Sequence, residues 1–240
     1  AMICLKAGNP IIFSPHPSAV GCILETVKVI RQAAERAGAP TGSISCITTP
    51  TIEATNTLMR HDITRLILAT GGAAMVKAAY SSGTPAIGVG AGNGPAYIHH
   101  TANVEQAVKR ILDSKTFDNG TICASEQSVI MEARMEPAVK AALRSQGAYL
   151  LDEEETKQLS RFILRSNGTM NPAIVGKSVE TVAKLAGLTR VPASARVLVA
   201  RETGVGKGHP YSSEKLGLIL ACYVEPDEEA VLRRCVEILE

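Results

Sequence analysis

Tryptophan is absent from this 240-residue chain, and aromatic side chains together make up only 3% of it. A core built without rings must come from Ala, Val, Ile and Leu. That favours small helices packed on a β-branched sheet over an aromatic-rich β-sandwich. No Lys/Arg run is present and the formal net charge is only +2, so neither an electrostatic footprint nor a base-stacking surface for nucleic acid is expected. No apolar run approaches the ~18 residues needed to cross a bilayer, so no membrane partner is expected. The opening AMICLKAGNPIIF lacks the basic start and cleavage site of a signal peptide, and a cytoplasmic location is the default expectation. Six cysteines occur, at 4, 22, 46, 123, 222 and 235, with no CxxC pair and no Cys/His cluster at ligand spacing. They read as free thiols, five of them in apolar or helical surroundings as small core residues.

What is present is alternation. Ile11 to Phe13 reads as a strand, and Ile23, Val27, Ile30 and Ala34 repeat at helical spacing until Gly38-Ala39-Pro40 stops them. Ser43 to Thr48 reads as a strand, and Pro50-Thr51 opens a helix to about Arg60. Leu66 to Ala69 is a strand broken by Gly71-Gly72, then comes a helix to Ser81 and a strand from Pro85 to Val89. The glycine-rich GVGAGNGP follows, and a strand ends at His99 and His100. A helix from Asn103 to Ser114 then leads into the loop TFDNGTICAS and a strand from Ser128 to Glu132. Beyond it, helices are expected at 136–146, 153–164, 179–186 and 227–239, and strands at 196–200 and 218–224. The fold class is α/β, a parallel Rossmann-type sheet with helices on both faces plus a second α/β domain, divided within 115–125.

Three segments can carry chemistry. In FDNGTICASEQS, residues 117–128, Cys123 stands in a loop among small residues that leave room for a substrate at its sulfur. A single loop cysteine is also compatible with a purely structural role. In LILATGG a strand runs into Thr70-Gly71-Gly72 and a helix follows, which suits either a plain turn or a phosphate at the helix N-terminus. It is neither GxGxxG nor a P-loop. The run AIGVGAGNGP is either a tight turn or a backbone pressed against a ligand or a catalytic side chain. His16 and His209 each precede a proline and read as loop residues. His99 and His100 have no Cys or carboxylate pattern near them, and no metal ligand is expected.

Taken in order, NPIIFSPHPSA, LILATGGAAMVKAAYSSGTPAIGVGAGN and SKTFDNGTICASEQSVI resemble the CoA-acylating aldehyde dehydrogenases. These include the acetaldehyde and propionaldehyde enzymes of ethanolamine and propanediol use and the aldehyde domain of bifunctional aldehyde–alcohol dehydrogenases. The resemblance covers nearly the whole chain. It implies that residues 1–115 belong to an NAD-binding domain and 116–240 to a catalytic domain, both incomplete, with an oxyanion-hole Asn before Ala1 and an oligomerisation segment after Glu240. It implies Cys123 as nucleophile, Thr70, Gly71 and Gly72 beside the dinucleotide phosphates, Gly90 near the nicotinamide, and Glu214 on the nicotinamide ribose. Ser14 falls where hydrolytic relatives carry a Lys for the adenosine ribose, Pro17 replaces their Glu, and His16 lies between, lining the same pocket. One departure is local: relatives read EKLSP or EKLCP where this chain has Glu214-Lys215-Leu216-Gly217-Leu218, which puts the turn in doubt but not the Glu.

The chemistry implied is oxidation of a short-chain aldehyde to acyl-CoA, with NAD as cofactor and coenzyme A as co-substrate. Hydrolytic relatives carry a water-activating Glu in the segment aligned with AIGVGAGN; here Gly88-Val89-Gly90 stands there, with no carboxylate. A thioester on Cys123 would then await the soft CoA thiol rather than water. The implied partners are the aldehyde and CoA, further copies of the chain in a homo-oligomer, and an alcohol-dehydrogenase domain or a bacterial microcompartment as setting. The competing readings are an aldehyde dehydrogenase that releases free acid, a phosphate-linked semialdehyde enzyme, and a non-catalytic nucleotide-binding module.

Overall fold

Apolar residues recurring every three to four positions form helices, and short β-branched runs form strands, in a computed structural model that describes residues 1–165 and 168–240. The chain packs as two units, residues 1–90 and 91–240.

The first unit runs α1 (Met2–Lys6), β1 (Ile11–Phe13), α2 (Val20–Arg36), β2 (Ile44–Cys46), α3 (Ile52–Arg60), β3 (Ile67–Thr70), α4 (Ala73–Tyr80) and β4 (Ala86–Val89). Its strands form two parallel pairs, β1 with β2 and β3 with β4, in register Ile11 to Ile44 and Ile67 to Ala86. Helix α2 stops where the sequence predicts, with Gly38 in the left-handed region at φ 97° and its N–H bonded to Glu35 O. Thr51 caps α3, its hydroxyl accepting from Ala54 N–H at 3.0 Å. Met59, Ala69 and Ala79 form a small core here.

The second unit runs β5 (Gly94–Ile98), α5 (Val104–Thr116), β6 (Glu126–Glu132), α6 (Glu136–Ser145), β7 (Ala148–Leu150), α7 (Glu153–Ile163), α8 (Val179–Ala186), β8 (Val197–Arg201), β9 (Ile219–Glu225) and α9 (Glu228–Leu239). Its five strands are all parallel, in the order β5-β6-β9-β8-β7. Alternation along each strand splits the core in two. Val129 and Met131 of β6 and Leu220 and Cys222 of β9 face the core containing Val108, Ile111 and Leu112 of α5 and Val139 and Leu143 of α6. Ile130, Ile219, Ala221 and Tyr223 face the other core, with Leu159 of α7, Val182 of α8 and Val231 of α9. Helices thus cover both faces, as the sequence predicts. Asn103, Asp152, Ser178 and Asp227 each cap a helix of this unit, and Asp152 forms a full capping box with Glu155.

Two features are not written in the sequence pattern. The packing divides the chain after Gly90, because β5 pairs with β6 and α5 packs on the same sheet, so residues 91–115 pack with the second unit. Strand β7 has only three residues, Ala148–Leu150, too few for a period to show in the sequence.

Candidate active site

The loop that carries Cys123 begins with three successive residues in left-handed backbone: Asp118 at φ 48°, Asn119 at φ 51° and Gly120 at φ 74°. Asp, Asn and Gly are the types that enter this region at least cost, so the DNG spelling matches the backbone it must adopt. The turn is tied down locally. Thr121 Oγ1 donates to Asp118 O, and Asn119 Nδ2 donates to Gly176 O at 3.2 Å. At Gly120 a Cβ would lie 2.6 Å from Gly217 O, so no side chain fits. Cys123 then stands exposed, and the turn closes with Ser125 N–H donating to Ile122 O at 3.0 Å. The thiol therefore precedes the amino end of β6, whereas open α/β sheets more often bind ligands at the carboxyl ends of their strands.

Against this loop lies part of the glycine-rich run. A Cβ on Gly92 would sit 2.0 Å from Cys123 O. The backbone of residue 92 is pressed onto the backbone of the cysteine, a contact that neither sequence reading of this run, a tight turn or a backbone against a ligand or catalytic side chain, described. The N–H of Gly92 donates to Glu214 Oε1 at 3.0 Å. Asn93 holds the same run in place, its Nδ2 donating to Ser212 O at 2.7 Å and to Ile238 O at 2.9 Å. Cys123, Gly92 and Glu214 are thus one connected arrangement within the second unit.

Two fully buried lysines lie beneath it. Lys115 Nζ donates to Gln127 Oε1 at 3.2 Å, and the same oxygen accepts the N–H of Lys215 at 3.1 Å. Lys215 Nζ donates to Tyr211 O and Ser213 O, fixing the turn that presents Glu214. Burial lowers the Lys115 ammonium to about 8, against the opposing pull of Glu126 and Glu214. Burial and the neighbouring Lys115 together push Lys215 well below its usual value. Burial also raises the carboxyl of half-buried Glu214, although Gly92 N–H, Lys115 and Lys215 each pull it back down.

The other expected site residues belong to the first unit. Ser14 and His16 are exposed just after β1; Ser14 Oγ bonds Thr55 Oγ1 at 2.7 Å, and His16 Nδ1 accepts from Ser18 N–H at 3.2 Å. Thr70 ends β3, Gly71 N–H donates to Val89 O, and Gly72 is the N-cap of α4 with no side chain closing the helix end. Gly90, just after β4, is exposed with open space where a Cβ would be. His209, given no role from the sequence, bonds Glu202 through Nδ1 at 2.8 Å.

Sequence reasoning did not single out Gly92, Asn93, Lys115 or Gln127 individually. For Gly92 the signal was the glycine run itself. For Lys115 there was none, since lysine is among the residues least often fully buried.

A family model described as "Aldehyde dehydrogenase family" matches residues 1–186. The chain is 46% identical over 239 residues to the bifunctional aldehyde-alcohol dehydrogenase AdhE of Escherichia coli K12, covering all of this chain and 27% of that protein. Among solved structures it is similar to a probable aldehyde dehydrogenase from Listeria monocytogenes EGD-e, with TM-score 0.95, 63% identity, and coverage of 98% of this chain and 51% of that one. It is also similar to a Rhodopseudomonas palustris propionaldehyde dehydrogenase solved with bound CoA and an acylated cysteine, with TM-score 0.88, 33% identity, and coverage of 97% of this chain and 52% of that one. The chain therefore spans about a quarter of the bifunctional relative and about half of the two solved ones.

Proposed function

The chain belongs to the aldehyde dehydrogenase family, and from that membership we propose that it is the nucleophile-bearing part of an enzyme that converts a short-chain aldehyde to acyl-CoA with NAD. The observation that carries this reading is the exposed Cys123 on a loop whose backbone is locked against Gly92, itself bonded to Glu214.

The chain's residues fit a dinucleotide. Helix α4 opens at Gly72 with no side-chain cap, leaving its amino end free for a phosphate. In the first unit Thr70, Gly71 and Gly72 would hold the phosphates, Ser14 and His16 would line the adenosine ribose pocket, and Gly90 would lie near the nicotinamide; Glu214, in the second unit, is the family's nicotinamide-ribose position by resemblance. When bound, NAD accepts a hydride.

The Cys123 thiolate adds to the aldehyde carbon, and the carbonyl electron pair moves to oxygen. The backbone N–H of Cys123 would donate to that oxyanion. Expulsion of hydride from the carbon leaves a thioester on Cys123. The CoA thiolate then attacks the thioester carbonyl, and the Cys123 thiolate departs, giving acyl-CoA. Water is a poor competitor on this reading because Gly88-Val89-Gly90 stands in the segment where hydrolytic relatives carry the activating Glu. The bound CoA and acylated cysteine of the R. palustris relative support the same order of events.

The complete protein, on this reading, works in the cytoplasm as a homo-oligomer. Its setting is an alcohol-dehydrogenase partner domain, as in the E. coli relative's name, or a microcompartment.

The test is NADH release by the complete gene product acting on propionaldehyde. With CoA the wild type should turn over steadily and form propionyl-CoA, and Cys123→Ala should fall to background. Without CoA the wild type should release one burst and then stall. Steady release without CoA would overturn thiolysis, and a Cys123→Ala variant with sizeable activity would overturn the nucleophile.

A further inference from the structure

At the far end of β6 from Cys123, three ligand-type side chains converge. Strand β5 ends at Ile98, opposite Met131 of β6, so His99 and His100 emerge beside Glu132 at the carboxyl edge of the sheet. His99, His100 and Glu132 each offer one ligating atom, all within 4.8 Å of one another, the one such cluster among the described residues. The sequence hid it because the carboxylate comes from the neighbouring strand, 32 residues on.

The geometry of the His100–Glu132 pair is informative. His100 Nδ1 lies 3.3 Å from Glu132 Oε1, and Arg134 Nη2 lies 2.9 Å from the same Nδ1. Arginine only donates. With Arg134 as donor, Nδ1 turns its lone pair to the guanidinium beside the Glu132 carboxylate. The cation between them is the Arg134 guanidinium, also 2.7 Å from Glu132 Oε2. Two ligands about 2.1 Å from one tetrahedral metal lie about 3.4 Å apart, which is the separation already present.

Neighbouring side chains hold these groups in place. Glu132 is buried and oriented by Tyr97 Oη, which donates to its Oε1 at 3.2 Å. His99 Nδ1 accepts the Thr101 N–H at 3.3 Å and lies 2.8 Å from Thr101 Oγ1, and its Nε2 lies 3.9 Å from Glu228 Oε2 at the start of α9. Such outer partners fix ring orientation around metals. The Arg134 side chain is 59% exposed, so it can withdraw into solvent.

We propose that His99, His100 and Glu132 form a binding site for a divalent first-row transition metal of the zinc, cobalt or nickel class, with Arg134 as the competing cation. Two imidazoles and one carboxylate suit these ions better than calcium or magnesium. The seven residues of β6 separate the site from the cysteine loop by roughly 20 Å at about 3.3 Å per residue. The metal therefore clamps β5 to β6 and takes no part at Cys123.

The experiment is a cobalt(II) titration of the complete protein, read by visible absorption, with thermal unfolding in zinc as a second measurement. The expected spectrum is that of nitrogen and oxygen ligands without thiolate charge transfer. His100→Ala should weaken binding about tenfold or more and abolish the zinc-dependent rise in unfolding temperature, while Arg134→Ala should bind more tightly than wild type. A thiolate spectrum, equal affinity in wild type and His100→Ala, or weaker binding by Arg134→Ala would each overturn the site. His99→Ala guards against misfolding at position 100, and full affinity in that variant would likewise overturn it.

Discussion

The two units use the same kind of strand for different degrees of enclosure. In the second, β6 reads buried at every position from Gln127 to Glu132, and β9 from Ile219 to Tyr223, because helices lie on both faces. In the first, β3 and β4 alternate, and Leu68, Ile87 and Val89 stand at least half exposed on one side. Parallel strands are ordinarily buried on both faces. The difference shows where rigidity resides. The cysteine loop, the Gly92 run and the Glu214 turn all grow from the doubly covered sheet, so the group that must be placed most accurately stands on the better-packed unit.

The sharpest way to break this comparison uses two glycines of one run. Gly92→Ala puts a methyl 2.0 Å from Cys123 O, whereas Gly90→Ala meets nothing within 4 Å. Gly92→Ala should lower acyl-CoA formation by about 10²-fold through misplacement of the thiol and lower the unfolding midpoint. Gly90→Ala should leave the unfolding midpoint unchanged, its consequence being confined to cofactor affinity. Equal midpoints for the two variants would show that the interlock at Gly92 is slack.

A smaller effect separates the two cores. Leu112 is fully buried on α5, and Leu68 is 54% exposed on β3. Leu112→Ala should cost about 2–5 kcal/mol and Leu68→Ala no more than about 0.5 kcal/mol, read by denaturant unfolding. A large cost at Leu68 would mean that its exposed face is covered in the complete protein.

The smallest effect concerns the buried charge under the site. Free lysine titrates near 10.4, and Lys115 near 8 when folded. Between those values the unfolded chain binds more protons than the native one, so this residue makes stability rise with pH across that window. The penalty for burying the ammonium is in full force below about pH 8 and is relieved above it. Lys115→Met should flatten that slope between pH 8 and 10; an unchanged slope would assign it to other groups, Lys215 first among them.

Much of this was legible in advance wherever the governing interactions are local. Thr51, Asn103 and Asp227 announced helix starts because a cap acts within three residues. The loop around Cys123 was legible from its small residues, but not the left-handed backbone of Asp118, Asn119 and Gly120. The division at Gly90 was not legible, since it depends on β5 choosing β6 as its partner. Nor was the burial of Lys115, whose enclosure is set by Gln127 and by the distant turn around Lys215. The convergence of His100 and Glu132 likewise exists only once two strands are in register.

The strand order of the second sheet also sets a timetable. β9 is the last strand of the chain, yet it lies in the middle, between β6 and β8. During synthesis the cysteine loop emerges well before the Glu214 turn, which lies 122 residues after its partner Gly92. Until β9 inserts, β6 and β8 have no common neighbour, and closing so long a loop is a slow kind of step. A nascent chain thus exposes the cysteine loop before the Glu214 turn that binds Gly92, and the insertion of β9 joins β6 to β8 and brings that turn to its partner.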